Sequence, residues 1–344
     1  MGDMQRDQGD LAGALTAYRE SLNLRRGLAE DDPADADWQH DLSISFNNLG
    51  DVLRDQGDLD GALAAYRESL DLRRRLTRDD PTGADWQRAL SITLNRVGSV
   101  LRDQGDLIGA LAAFQEGLDL RRGLVAADPS NASWHHDFGA SLNNVGDVLR
   151  RQGNLDGALA AYREPLDLIQ RLAETDPSNA GWQHDLSASL NNVGGVLLEK
   201  GDLAGALSAL RESVDLGRRL AETDPSNALS QRDLSASLNA VGDVLIEKGD
   251  LDGALAAFRE SLDLCRRLTG TDPSNAGWQR DLSLSLTSVA QLNELLGKRV
   301  EALSLAEESL AIDERLAALD RSNVVWQNDV RVSRALVARL RGEK

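Results

Sequence analysis

Between Asp37 and Asp80 the apolar positions follow two helical stripes separated by a glycine. Trp38, Leu42, Phe46, Leu49 and Leu53 recur at steps of four and three, which places them on one face of a helix. This helix, called A, is predicted to stop at Gly57, a residue that adopts the left-handed conformation without a Cβ penalty. Asp58 then offers a side-chain oxygen to cap the next helix. Leu59, Ala62, Leu63, Tyr66, Leu70 and Leu76 form the buried side of that second helix, B. Arg67, Glu68, Asp71, Arg74 and Arg75 lie outside, with Asp71 and Arg75 spaced as an i,i+4 ion pair. Asp80-Pro81 ends helix B, because the residue before a proline is pushed out of the helical region. The segment is predicted to be a helical hairpin.

The hairpin recurs every 48 residues. Trp38, Trp86, Trp134 and Trp182 keep that step, Ser230 interrupts it, and Trp278 and Trp326 resume it. Pro33, Pro81, Pro129, Pro177, Pro225 and Pro273 keep it as well, as do Gly9, Gly57, Gly105, Gly153, Gly201, Gly249 and Gly297. A constant period predicts a stacked array rather than the two or three separately closed domains that 344 residues would otherwise suggest. The expected fold is all-α: one α-solenoid domain over residues 1–344, with hairpins at approximately 1–32, 33–80, 81–128, 129–176, 177–224, 225–272 and 273–320 and a capping helix at 321–344.

Small residues predict a close crossing of the two helices. Gly50 has equivalents at Gly98, Gly146, Gly194 and Gly242, and Gly61-Ala62 at Gly109-Ala110, Gly157-Ala158, Gly205-Ala206 and Gly253-Ala254. Glycine inside a helix costs about 1 kcal/mol relative to alanine, so its recurrence implies backbones too close for larger side chains. Tyr18, Tyr66, Phe114, Tyr162 and Phe258 fill the space beside the crossing.

The Leu49-Gly50 pair, Leu53, Gly57, Leu59, Ala62 and Tyr66 resemble the signature of the tetratricopeptide repeat family. Leu70-Asp71-Leu72-Arg73 leading to Asp80-Pro81, and Leu142-Asn143-Asn144-Val145-Gly146, resemble the longer variant of kinesin light chains and bacterial arrays. The resemblance covers nearly the whole chain and implies a right-handed superhelix whose A helices line a concave groove. The period departs from the usual value of about 34, and the added segment contains Trp182-Gln183-His184-Asp185-Leu186 and its copies, so both helices are extended.

Both ends are irregular. Met1-Gly2-Asp3 aligns with Leu49-Gly50-Asp51, so the first helix B has a truncated mate, as expected either of a fragment of a longer protein or of a frayed first turn. Toward the other end Ala290 replaces the crossing glycine, Lys298-Arg299 the Asp-Leu turn and Arg321 the loop proline. The last helix, from about Asn323 to Arg341, turns Val330, Leu336, Val337 and Leu340 toward the preceding hairpin and reads as a terminal cap.

Charge narrows the partners. A net charge of −18 repels phosphate backbones and anionic lipid heads, so nucleic acid and membrane are not expected, whereas a basic or neutral polypeptide is. No apolar run has the length of a membrane span, and the first residues lack a secretory pattern, which predicts a cytoplasmic chain. Cys265 is the only cysteine; it is read on the polar side of helix B, where Arg266 and Arg267 could lower its pKa but no His or acid makes it a nucleophile. His40, His136 and His184 occupy equivalent places in different repeats, too far apart to share an ion, and His135-His136 face different directions. No catalytic set, phosphate loop, metal site or cofactor site is predicted.

The candidate site is a polar series in helix A. Asn47, Asn95, Asn143, Asn191 and Asn239 recur once per repeat, with Asn48, Asn144 and Asn192 beside them. An amide carries donors and an acceptor, so spaced asparagines can hold the NH and CO of an extended peptide without reading its sequence; the family resemblance implies the same use. Periodicity alone is equally consistent with amides that bond neighbouring helices. Asp51, Asp147 and Asp243 follow one turn on, and Arg54, Arg102 and Arg150 beyond them give way to Leu198 and Ile246, so the groove is expected to become more apolar and acidic along its length. The tryptophans, on the stripe of the buried leucines, are expected to pack in the core. Pro165 stands where Ser69, Ser213 and Ser261 stand and predicts a kink in its helix. The expected function is a non-enzymatic scaffold for a protein or extended peptide. The alternatives are self-association through the terminal repeats, or service as the recognition part of a larger multidomain protein.

Overall fold

A computed structural model of the chain describes residues 11–176, 179–321 and 323–342. Met1-Gly2-Asp3, Gly9 and Pro177 lie outside the described residues. Fourteen helices run through those residues: α1 (Leu11–Asp31), α2 (Ala36–Asp55), α3 (Leu59–Asp79), α4 (Ala84–Asp103), α5 (Leu107–Ala127), α6 (Ala132–Arg151), α7 (Leu155–Thr175), α8 (Ala180–Glu199), α9 (Leu203–Thr223), α10 (Ala228–Glu247), α11 (Leu251–Thr271), α12 (Ala276–Leu295), α13 (Arg299–Leu319) and α14 (Val324–Arg341). There is no strand among them. Even-numbered helices are the A helices and odd-numbered ones the B helices.

The chain divides into two compact units, one ending at Pro165 and the other beginning at Leu166. In the first, α2 packs on α3 and α4 on α5, and each B helix packs in turn on the following A helix. In the second, α8 pairs with α9, α10 with α11 and α12 with α13, while α14 closes on α13. Each unit is a stack of hairpins. Pro165 lies inside α7, which continues as helix from Leu155 to Thr175.

The turns follow the residues predicted to make them. Gly57 has φ of 80°, the left-handed conformation, and Asp58 accepts a bond from the Gly61 amide at 2.9 Å. Asn131, Asn179, Asn227, Asn275 and Asn323 cap the following A helices in the same manner, each accepting from the amide three residues on.

Gly50 is the crossing residue: a Cβ there would come within 2.5 Å of the Tyr66 ring. Gly61 has a different cause, which corrects the sequence expectation. A Cβ at Gly61 would strike the carboxylate of its own cap, Asp58, so this glycine makes room for the cap while Ala62 takes the buried place against helix A. The Asp71–Arg75 pair also gives way to another. Helix B instead joins its successor through Arg74–Glu116 and Arg122–Glu164 in the first unit and Arg218–Glu260 and Arg266–Glu308 in the second.

A second charge ladder links successive A helices: Arg88–Asp137 at 2.8 Å in the first unit, then His184–Asp233, Arg232–Asp281 and Arg280–Asp329 in the second. The hydrogen bond to Asp233 raises the His184 pKa above its ordinary 6.5, against the opposing effect of burial. A raised folded pKa gives stability that is fully present below pH 6.5 and is lost as pH rises through the folded value. Replacing His184 by Gln is therefore expected to lower the melting temperature at pH 6 more than at pH 8. Solvent screening of this partly exposed pair keeps the difference to about 1 kcal/mol or less, and equal losses at both pH values would refute it.

Candidate functional site on the A helices

The recurring asparagines occupy the seam between repeats. Asn47 is 2% exposed, and its Nδ2 donates to Thr93 Oγ1 of the next A helix at 3.1 Å. Asn191 donates to Ser237 Oγ at 2.9 Å, and Asn95 turns its oxygen to Arg121, accepting from both Nη atoms at 2.9 and 3.1 Å. Asn143 and Asn239 are half-buried at the same place. Thr93 and Ser237 belong to a buried hydroxyl set; Ser213 of helix B bridges Ser187 and Ser237 at 2.8 and 2.9 Å, and Ser261 bridges Ser235 and Ser285 at 2.7 and 3.2 Å. The donors of Asn47 and Asn191 are thus committed to neighbouring helices.

One residue further round each helix, Asn48, Asn144 and Asn192 are half-buried. Asp51 accepts from Tyr66 at 2.6 Å and pairs with Arg96 at 2.9 Å; Asp147 accepts from Tyr162. Asp243 lacks that partner, since Phe258 stands in the tyrosine position and offers no hydroxyl, and burial raises the pKa of its carboxyl. Arg54 pairs with Asp103 at 2.7 Å, and Arg102 lies 3.5 Å from Asp103 and 3.9 Å from Asp147. Arg150, half-buried, sits at the same register.

Two register-equivalent cavities open between neighbouring A helices. The first, of about 590 Å³, lies between α2 and α4, with Ile44 and Ile92 as walls, Asn47 and Asn48 on one side, Arg96 on the other and Arg73 of helix B as floor. The second, of about 300 Å³, lies between α10 and α12, where Ala236 and Leu284 are the walls and Cys265 is the floor.

Cys265 is 2% exposed rather than on the polar side, lying 3.2 Å from Ser235 Oγ and 3.4 Å from Ser285 Oγ, and burial pushes its thiol pKa up rather than down. The tryptophans also depart from expectation. Trp182 is buried, but Trp38 is 36% exposed and the remaining four are half-buried, Trp86 lining the first cavity. His135 is buried, with Nε2 2.8 Å from the Pro129 carbonyl, the place that Gln87 and Gln231 take toward Pro81 and Pro225. Among the described residues no three His, Cys, Asp or Glu side chains are grouped to hold a metal ion.

A tetratricopeptide repeat profile matches residues 44–81, 91–129, 139–178, 186–226 and 234–275, more than half of the chain. The chain belongs to the tetratricopeptide repeat family. No curated protein matches it. Among solved structures it is similar to BtubC (BKLC) from P. vanneervenii, with 18% identity and a TM-score of 0.59 over 76% of this chain and 92% of that one. It is also similar to the apo form of RapI, with 12% identity and a TM-score of 0.51 over 86% and 99%. At these identities the likeness concerns the fold: an all-α, tetratricopeptide-like solenoid of helices in consecutive packed pairs. Tetratricopeptide folds serve in general as protein-interaction scaffolds.

In this tetratricopeptide array the most variable inward position is one the sequence reading passed over. Arg25, Arg73, Arg121, Ile169, Gly217, Cys265 and Asp313 share a single register on helix B, beneath the A helices. Asp313 shows the position's polarity: buried between Ser283 and Ser333, it bonds to both, and burial raises its pKa. The signal was present as variation at a fixed register inside otherwise repeated sequence.

Proposed function

We propose that the chain is a non-enzymatic scaffold that binds a protein or extended peptide in a concave groove lined by the exposed side of its A helices. The observation that carries this reading is the pair of register-equivalent openings between neighbouring A helices, each with apolar walls and polar edges. Mixed lining of this kind suits a peptide, whose main chain needs hydrogen bonds and whose side chains need apolar contact. Asn48, Asn144 and Asn192, with Asp51, Asp147, Asp243, Arg54, Arg102 and Arg150, supply the polar edge, while Asn47, Asn95, Asn143, Asn191 and Asn239 hold the seam behind it. The net charge of −18 favours a partner that is basic or neutral overall. No described helix is long and apolar enough to cross a membrane, and a cytoplasmic setting fits the composition.

Site-specific photo-crosslinking tests the reading. Benzophenone side chains placed singly at Ala140 and Ala236, exposed on the A helices, are expected to capture peptides of a second protein from native lysate. The same probe at Arg122 and Arg218, exposed on the B helices, is expected to capture none. Crosslinks confined to the B-helix positions would overturn the proposal, and crosslinks only to copies of this chain would favour self-association instead.

A further inference from the structure

Arg73 is 5% exposed, yet no carboxylate of the described residues pairs with it. Its Nε donates to Ser43 Oγ at 3.0 Å and its Nη1 to the Ala89 carbonyl, and no hydrogen bond from Nη2 is formed within the described residues. Burial, with Arg96 nearby, lowers its pKa to about 10. A desolvated cation without a counter-charge is costly, and a guanidinium presents a planar fork that fits a carboxylate.

The neighbouring repeats show what is missing. Arg25 lies 3.8 Å from the Asp41 carboxylate; at Arg121 burial lowers the pKa and the charge of Asp137 opposes that shift, whereas no carboxylate opposes it at Arg73. The corresponding residue for Arg73 is Ala89, whereas every other A helix carries aspartate there: Asp41, Asp137, Asp185, Asp233, Asp281 and Asp329. The ladder between A helices loses the same acceptor. Where His184 reaches Asp233 and Arg232 reaches Asp281, His40 has Ala89 at the equivalent place; it lies edge-on against Trp86, 5.1 Å between centroids, with a buried Nδ1 that has no hydrogen-bond partner among the described residues. Both groups line the larger of the two register-equivalent cavities, about 590 Å³ against about 300 Å³ where Asp281 is present.

We propose that the cavity over Ala89 is a binding site for one carboxylate group, which takes the place of the absent aspartate between Arg73 and His40. Arg88 and Arg96 at its edge are already engaged with Asp137 and Asp51, so Arg73 is the attracting charge. Asp85 also lines the cavity and disfavours a second negative charge. Ile44, Ile92 and Trp86 give apolar walls for an aliphatic stem. The carboxylate comes from a small free acid or from an Asp or Glu side chain of a bound polypeptide; only the second source rests on the scaffold reading.

The test follows the Arg73 Nε–H resonance, assigned by its loss in Arg73→Lys, and the His40 ring resonance in the full-length chain. Sodium propionate is titrated against sodium chloride at equal ionic strength. A blocked Ala-Ala-Glu-Ala-Ala peptide is titrated against its Gln counterpart. Propionate is expected to move both resonances saturably, and Ala89→Asp, which supplies an internal carboxylate, is expected to weaken that response at least tenfold while raising the melting temperature. A response to the Glu peptide stronger than to propionate, absent with the Gln peptide, assigns the site to polypeptide side chains; an equal response assigns it to small acids. Should Ala89→Asp fail to fold, Arg73→Met replaces it, with loss of the His40 response expected. Resonances that propionate and the Glu peptide leave unmoved overturn the site, and because propionate needs no extended groove, that failure leaves the scaffold reading standing. A response undiminished in the folded variant overturns it equally.

Discussion

Gly146→Val is expected to destabilise the chain by about 3 kcal/mol, at the upper end of what overpacking costs. On helix propensity alone a glycine replaced inside a helix would gain up to about 1 kcal/mol. The geometry reverses the sign, because a Cβ at 146 would sit 2.5 Å from the Tyr162 ring. That ring is buried and cannot swing aside freely, since its hydroxyl donates to Asp147 on the same A helix as the glycine. Gly123→Ala is the control: it lies in α5, exposed, with nothing within 4 Å of its would-be Cβ, and should gain the propensity term. Urea unfolding of Gly146→Ala, Gly146→Val and Gly123→Ala reads the contrast. If Gly146→Ala were as stabilising as Gly123→Ala, the close crossing would not exist in solution.

The hairpins were legible because two period-bearing signals agree, a helical stripe within each unit and a 48-residue step between units, and stacking reuses the same contacts. Gly61 was misread for a physical reason. Both it and Gly50 recur with the period, and only coordinates distinguish a Cβ that meets a neighbouring ring from one that meets its own cap. Cys265 was misplaced because its sequence neighbours Arg266 and Arg267 are exposed, although consecutive residues on a helix lie about 100° apart and do not share a face.

The site was less legible than the fold. Asn47 and Asn48 differ by one step of that rotation, enough to turn one amide into the seam and the other outward, and identical periodicity cannot separate them. The floor of the cavities was hidden for the opposite reason. Repeats copy functional and structural residues alike, so the informative positions are those that fail to repeat: Ala89 where the other A helices have aspartate, and the run from Arg25 to Asp313 on the B helices. Each alters charge at a place where the surrounding helices leave little water, and there the energetic consequence is largest.

The chain also contains its own demonstration of how the crossing can be rebuilt, and this supports a second large effect. Phe258 is 2% exposed against Gly242, so Phe258→Ala is expected to cost about 3–5 kcal/mol. At the equivalent pair near the other end the chain has Ala290 and Ala306, both fully buried: where the large residue is absent, the glycine is absent too. Copying that pair should therefore invert the effect of the first position. Gly242→Ala destabilises when Phe258 is present, because its Cβ meets the ring. In the Phe258→Ala background the same change should recover about 1 kcal/mol, the propensity gain of alanine over glycine. A double-mutant cycle by urea unfolding measures the coupling, which is expected to favour the double variant over the sum of the singles. Equal losses from Gly242→Ala in both backgrounds would mean that the ring and the glycine do not share the crossing, and that glycine recurs there for a cause other than space.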